Sequence, residues 1–159
     1  MNRALEVRIR YGEIGEQRFE DFCNTNSIWF HRFGITTKEG YAMPKDMFYK
    51  IPKLIKSAPD YLMIKNKFHF VECKMADKPT GTHCKMKEQD MQHYASWANV
   101  GSLLFFIHNE LLKESFIVEH HYISELIANC EYEQGMYPEN GKYFYKVKMD
   151  DIRRVGRVV

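Results

Sequence analysis

The stretch Pro59-Asp60-Tyr61-Leu62-Met63-Ile64-Lys65-Asn66-Lys67-Phe68-His69-Phe70-Val71-Glu72-Cys73-Lys74 is the point from which the rest of the chain can be read. Two short apolar runs, 61–64 and 68–71, flank the polar tripeptide Lys65-Asn66-Lys67. Runs of this length joined by so short a turn predict a β-hairpin, with Asp60 opening the first strand and Glu72 closing the second. Strand side chains alternate between faces, so Glu72 and Lys74 project to one side and Cys73 to the other. Two carboxylates and one ammonium are thereby expected to converge at one end of a small sheet.

Upstream, Ile14, Phe19, Phe22 and Cys23 recur at helical spacing over 13–23, with Glu and Arg between them. A helix is expected there, ended by Asn24 to Ser27. A strand follows over Ile28 to Phe33. Residues 34–56 show no clean period and carry Gly40, Pro44 and Pro52, which predicts a long loop. Loops of that length in a compact domain are usually functional or mobile. Downstream, 76–83 reads as a second loop, and 87–99 as a helix with the stripe Met91, Tyr94, Ala95, Ala98, stopped at Gly101. Leu103 to Ile107 reads as a strand buried on both faces. A strand at 116–118, a short helix at 123–130 and an alternating edge strand at 143–149 complete the reading, before the basic residues Arg153, Arg154 and Arg157. The order αβββαβ with C-terminal additions predicts an α/β fold with a central mixed sheet flanked by helices.

The bulk properties exclude more than they identify. A chain of 159 residues fits one domain, 1–159, with a single well-buried core. Its 45% hydrophobic and 28% charged residues are ordinary for a globular protein. The net charge of +2 is too small to name a partner. Residues 1–58 carry ten Lys/Arg against seven Asp/Glu, whereas 100–159 carry seven against nine, so the first part is the better face for a polyanion. Cys23, Cys73, Cys84 and Cys130 form no Cys-x-x-Cys pair. The His83-Cys84 pair near Cys73 fits no common zinc spacing. Reduced thiols and the absence of a signal-peptide pattern at residues 1–6 predict a cytoplasmic protein. The longest apolar run, 103–107, is too short for a membrane span.

Asp60 and Glu72 supply the hard oxygen donors that Mg²⁺ takes, with the main-chain carbonyl of Cys73 as a neutral third. Lys74, on the face of Glu72, supplies a cation for a phosphate or an attacking water. That equipment suits hydrolysis of a phosphodiester. Glu72 and Lys74 could also be a cross-strand pair on a solvated face. Phe68 and Phe70 share that face, however, so it is expected to be covered, where an unpartnered group of charges is costly.

Asp60 followed by Glu72-x-Lys74 after an apolar strand resembles the signature of the PD-(D/E)XK nuclease superfamily. The segment Gly12-Glu13-Ile14-Gly15-Glu16 is similar to the Gly-x-x-x-Glu pattern on that family's first helix, and the helix over 87–99 and strand over 103–107 follow in the family's order. Within it, the chain most resembles the Holliday-junction resolvases of archaea, phages and Gram-positive bacteria, some of which carry a Gln on the helix after the catalytic strand, matched by Gln89. The resemblance covers about residues 12–110. It implies a restriction-endonuclease-like core and a Mg²⁺-dependent DNA endonuclease, with Mn²⁺ as substitute. It further implies a homodimer cutting branched DNA, a four-way junction, in recombination or repair. It assigns catalytic work to Glu16, Asp60, Glu72, Lys74 and Gln89, and metal binding to Asp60, Glu72 and the Cys73 carbonyl. Glu13 and Glu20 compete with Glu16 for the helix glutamate. Rival readings are a nuclease of the same core acting in restriction, repair or replication, an inactive nucleic-acid-binding protein on that scaffold, and RNA cleavage.

Residues 45–56 interleave Lys45, Lys50, Lys53 and Lys56 with Phe48 and Tyr49 directly before Asp60. This segment either grips the DNA backbone or packs its apolar side with the lysines in solvent. Arg10 and Arg18 near the first helix are further phosphate contacts. Nothing here is patterned to read bases, so shape recognition is expected. Tyr94 is expected in the core and His93 on the surface.

Overall fold

The computed structural model describes residues 3–35, 45–78, 80–129, 132–138 and 140–159, and the side chains of all these but 3–9, 45, 46 and 48. The described elements begin with α1 (Arg3–Thr25), β1 (Trp29–Arg32), α2 (Lys45–Lys50), α3 (Lys53–Lys56), β2 (Tyr61–Ile64), β3 (Phe68–Met75) and β4 (His83–Lys87). They continue with α4 (Glu88–Val100), β5 (Ser102–Asn109), β6 (Glu114–Glu119), α5 (His120–Ala128), β7 (Tyr132–Met136), β8 (Tyr143–Lys148), α6 (Met149–Val155) and β9 (Arg157–Val158). The central sheet runs β1-β2-β3-β5-β6-β9; β3 and β5 are parallel and the other neighbours antiparallel. It is a mixed sheet flanked by helices, as the order of elements predicts.

Period-two alternation divides the core into two layers. Tyr61, Met63 and Val71, with Leu104 and Phe106 of β5, turn toward Phe19 and Cys23 of α1. Phe19 is fully buried, with its ring 4.7 Å from Tyr61 and 5.4 Å from Phe106. Truncation of such a side chain to Ala costs about 3–5 kcal/mol. On the other face Phe70, Leu103, Phe105, Ile107, Phe116 and Val118 lie beneath Tyr94 and Trp97 of α4, Ile123 and Leu126 of α5, and Met149 and Ile152 of α6. β5 is buried on both faces from Leu103 to Asn109, which accounts for its continuous apolar run.

Helix α1 ends in a Schellman motif. Ser27 takes the left-handed conformation at φ 54°, its N–H bonds the Asn24 carbonyl at 3.2 Å, and the Ile28 N–H reaches back to Cys23 at 2.8 Å. Ile28 and Cys23 are both buried in the α1 layer, the apolar contact that accompanies this cap. The turn sends the chain straight into β1.

Three expectations are corrected. Residues 34–56 are not a featureless loop: 45–50 and 53–56 are short helices, while 36–44 lie outside the described residues. Among the described residues of the loop expected over 76–83 only His83 belongs to a strand, as the start of β4, and 143–148 is the centre, not the edge, of a second sheet ordered β4-β8-β7. Burial in β4 alternates through Cys84 and Met86. Only two apolar residues carry that alternation, and the partner strand β8 lies some sixty residues on, so the local pattern is too short to announce a strand.

Candidate active site

The register of β1, β2 and β3 builds the site row by row. His31 pairs with Leu62, and Leu62 with Phe70; Tyr61 pairs with Val71. One step beyond the ladder sets Phe33, Asp60 and Glu72 in a single row on the α4 face. The Asp60 carbonyl accepts N–H groups from Phe33 at 2.8 Å and Gly34 at 3.2 Å, which pins the entry to β2. A side chain at Gly34 would meet the Pro59 carbonyl at 3.1 Å and the Asp60 Cα at 3.3 Å, so glycine is what allows this crossing.

Asp60 Oδ2 accepts the Cys73 N–H at 2.8 Å. The N–H and C=O of a strand residue leave on the same side, so the Cys73 carbonyl opens toward Asp60, beyond the start of β2. Lys74 and Glu72, two residues apart on one face, meet at 2.6 Å between Nζ and Oε1. Tyr94 of α4 closes the group: its hydroxyl accepts from Lys74 Nζ at 2.9 Å and donates to the same Glu72 Oε1 at 2.5 Å. Charge-assisted bonds of this length are among the strong ones. Glu72 is 8% exposed and Tyr94 4%, so the group sits in a low-dielectric setting.

The electrostatics follow from that burial. Asp60 is pushed well above the usual carboxylate range, first by desolvation and then by the Glu72 charge, against the weaker pull of Lys74 and the Cys73 N–H. Desolvation works against the Lys74 ammonium, but Glu72 leads the charges that outweigh it and hold Lys74 protonated well above its ordinary value. Burial, then Glu72, raises Tyr94, so the phenol stays a neutral donor. Burial pushes the Cys23 and Cys84 thiols up to about 12 and Cys73 well above its usual value, so all three remain thiols. Cys130 lies outside the described residues.

This donor set suits a hard divalent ion. Glu72, which is buried, and Asp60, which is partly exposed, lie beside one lysine that pairs with Glu72, and the strongest push on Asp60 after desolvation is the other carboxylate. Among the described residues no three His, Cys, Asp or Glu side chains form a cage by themselves. Two carboxylates and a carbonyl are nonetheless the usual protein share for Mg²⁺, whose other ligands are waters and phosphate oxygens.

A cleft of about 510 Å³ opens over the acids, lined by Asp60, Glu72, Tyr94, Gln89, Asp90 and His93 and by four lysines, Lys53, Lys56, Lys87 and Lys142. Gln89, on the first turn of α4, thus reaches the same cleft as the acids. Lys50 is exposed on α2 and is not among the residues lining it, and the side chain of Lys45 lies outside the described residues. Arg10 is exposed and likewise absent from the lining; Arg18 lines a different cleft with Asp21 and His108.

Glu16 occupies the α1 side, where its Oε2 lies 2.7 Å from Arg32. Its charge still reaches Asp60 as the weakest of the effects raising that carboxyl. Glu20 instead takes Arg32 at 3.1 Å and the Tyr61 hydroxyl at 2.5 Å. The glycine that lets α1 approach is Gly15, not Gly12: a Cβ at Gly15 would meet Met75 Sδ at 2.7 Å, whereas nothing lies within 4 Å of one at Gly12.

The sequence reading missed Tyr94, His93, Lys87, Lys142 and Gly34. Tyr94 is in the core as expected, yet its hydroxyl is spent on Glu72 and Lys74. The residue at 94 lies on the apolar stripe of α4, and a phenol there needs a partner, which was the available signal.

No family model and no curated protein matches the chain. Among solved structures it is similar to that of D212, a nuclease from a fusselovirus, over 95% of this chain and 86% of that one, with 10% sequence identity and a TM-score of 0.47. A likeness this distant assigns no function, which rests instead on the residues of the site. Among the described residues no helix is long and apolar enough to cross a membrane.

Proposed function

We propose that this chain is a Mg²⁺-dependent DNA endonuclease of the PD-(D/E)XK type. The observation that carries the reading is the row of Asp60 and Glu72, one step beyond the β2–β3 ladder, with Lys74 paired to Glu72 at 2.6 Å. Asp60, Glu72 and the Cys73 carbonyl would hold the ion. When bound, Mg²⁺ supplies charge to stabilise the phosphate and acidity to a coordinated water.

The protein's own groups do the rest. Lys74, kept as an ammonium, orients water or neutralises a phosphate oxygen, and Tyr94 fixes Lys74 and Glu72 in one geometry. Lys53, Lys56, Lys87 and Lys142 rim the cleft as point charges for phosphates. Gln89 extends from the helix start toward the same space. Glu16 acts on Asp60 through its charge, or joins the ion through a water. The substrate we favour is branched DNA, a four-way junction, cut by a two-fold homodimer in recombination or repair in the cytoplasm, with Mn²⁺ able to replace Mg²⁺.

Nicking of a supercoiled plasmid with Mg²⁺ or Mn²⁺ tests the activity. The wild type nicks, while Glu72→Gln and Lys74→Ala do not. No nicking by the wild type with either ion, on duplex or branched DNA, removes the enzyme reading and leaves a DNA-binding module. Preference for a synthetic four-way junction over linear duplex tests the substrate. Equal cutting of both leaves a nuclease of another kind.

A further inference from the structure

The face of the sheet that carries Asp60 and Glu72 does not end at the cleft. Two rows farther along the same strands, Trp29 of β1 pairs with Ile64 of β2, and Ile64 with Phe68 of β3. Their parity places them on the face of Asp60 and Glu72. Phe68 lies four positions before Glu72, roughly 13 Å along a strand. Helix α4 covers Phe70, where Trp97 packs at 5.0 Å, but not this outer row. Trp29 is 54% exposed, Ile64 48% and Phe68 42%, which is unusual for three large apolar residues in one row. His31, one row in, is exposed and lies nearly parallel to Trp29, with ring planes 16° apart.

We infer that this row is a stacking platform for unpaired bases, next to the proposed cleavage site. The inference rests on that reading only for its purpose, not for its chemistry. Aromatic faces on a sheet surface accept any base, and flanking cations hold the backbone. The charge pattern matches a polyanion: segments 28–35 and 61–71 contain no Asp or Glu, while Lys65 and Lys67, both exposed, sit in the turn beside Ile64 and Phe68. The end of α4 that borders the platform, residues 96–100, is uncharged. The platform and the cleft share one sheet face, so a strand leaving the acids meets Phe33, then His31, then Trp29. The site is therefore built for DNA with a single-stranded or splayed segment beside the cut.

The test exploits the two tryptophans, of which Trp29 is exposed and Trp97 buried. An oligo(dT) twelve-mer is titrated in EDTA against the wild type, Trp29→Ala, Trp29→Phe and Phe68→Ala, with a matched duplex in parallel. Emission and anisotropy are followed. Base stacking predicts quenching of Trp29 emission by the single strand, and at least a tenfold loss of affinity in Trp29→Ala. Trp29→Phe retains most of the binding. Unchanged single-strand affinity in both alanine variants overturns the platform, as does binding restricted to duplex. So does a Trp29→Ala protein that changes from dimer to monomer with DNA affinity intact, since the row is then a self-association surface. Because no metal is present, a failure of cleavage and a failure of this platform are read separately.

Discussion

Two charged clusters lie on opposite faces of the same three strands, and they are resolved differently. On the α1 face Arg32 meets Glu16 at 2.7 Å and Glu20 at 3.1 Å, and its guanidinium sits 4.8 Å from the Tyr61 ring. On the α4 face Lys74 pairs with Glu72 and donates to the Tyr94 hydroxyl, and Asp60 accepts the Cys73 N–H. Each cluster has two carboxylates and one basic side chain. One guanidinium nitrogen of Arg32, Nη2, lies within ion-pair reach of both its acids. The single ammonium of Lys74 serves one, and burial makes Asp60 absorb the deficit as a raised affinity for a proton. In the first cluster each carboxylate lies within ion-pair distance of the guanidinium, while in the second Asp60 has no ion pair among the described residues, in the place where a divalent ion would supply charge.

That contrast can be broken in several ways. The largest effect is expected from Glu72→Gln and Lys74→Ala, which should lower metal-dependent DNA cleavage by about a hundredfold or more, while Arg32→Ala leaves the rate within a few-fold. A comparable loss in Arg32→Ala, measured on folded protein, would erase the functional distinction between the two faces. Stability should run the other way. Arg32→Ala removes the cation from two carboxylates and is expected to cost about 3 kcal/mol in urea unfolding, a figure at the upper end because Arg32 is partly exposed.

Asp60 gives a pH signature of the open cluster. Its folded value is raised, so the folded state binds a proton more tightly than the unfolded chain, whose aspartate titrates near about pH 4. That contribution is full below the unfolded value and is lost as pH rises through the raised folded value. Metal-free protein should therefore lose melting temperature as pH climbs from the acidic range toward neutrality. Asp60→Asn should flatten the decline and melt higher at neutral pH; an identical decline in Asp60→Asn assigns the slope to other groups. Tyr94→Phe should have a smaller effect, about tenfold in cleavage rate, the worth of one hydrogen bond to a charged group. Smallest of all, Lys53→Ala and Lys56→Ala should weaken DNA binding alike across sequences and lower the logarithmic salt slope by about one for each phosphate no longer neutralised.

The site was legible in the sequence wherever strand arithmetic reached. The turn at Lys65-Asn66-Lys67 and alternation by two suffice to put Asp60, Glu72 and Lys74 on one face, and the structure has them there. Which side of the sheet Glu16 serves was not legible, because that depends on how closely α1 packs, and Gly15 sets the approach. Tyr94 could not be assigned from helical spacing alone; its partner depends on where α4 crosses β3. The exposed row of Trp29, Ile64 and Phe68 reversed an expectation, since alternation predicted Phe68 covered, yet α4 shelters only the inner half of that face. Likewise β4 and β8 pair across a sequence distance that no local pattern spans.

The most direct test is a Mn²⁺ titration of DNA-free protein at pH 8, read as melting temperature, on the wild type, Asp60→Asn and Glu72→Gln. Binding to the folded state alone raises stability by mass action. The wild type should rise with millimolar Mn²⁺ and the two variants should not. An equal rise in all three proteins, or none in the wild type, would contradict the claim that Asp60 and Glu72 form one cation site.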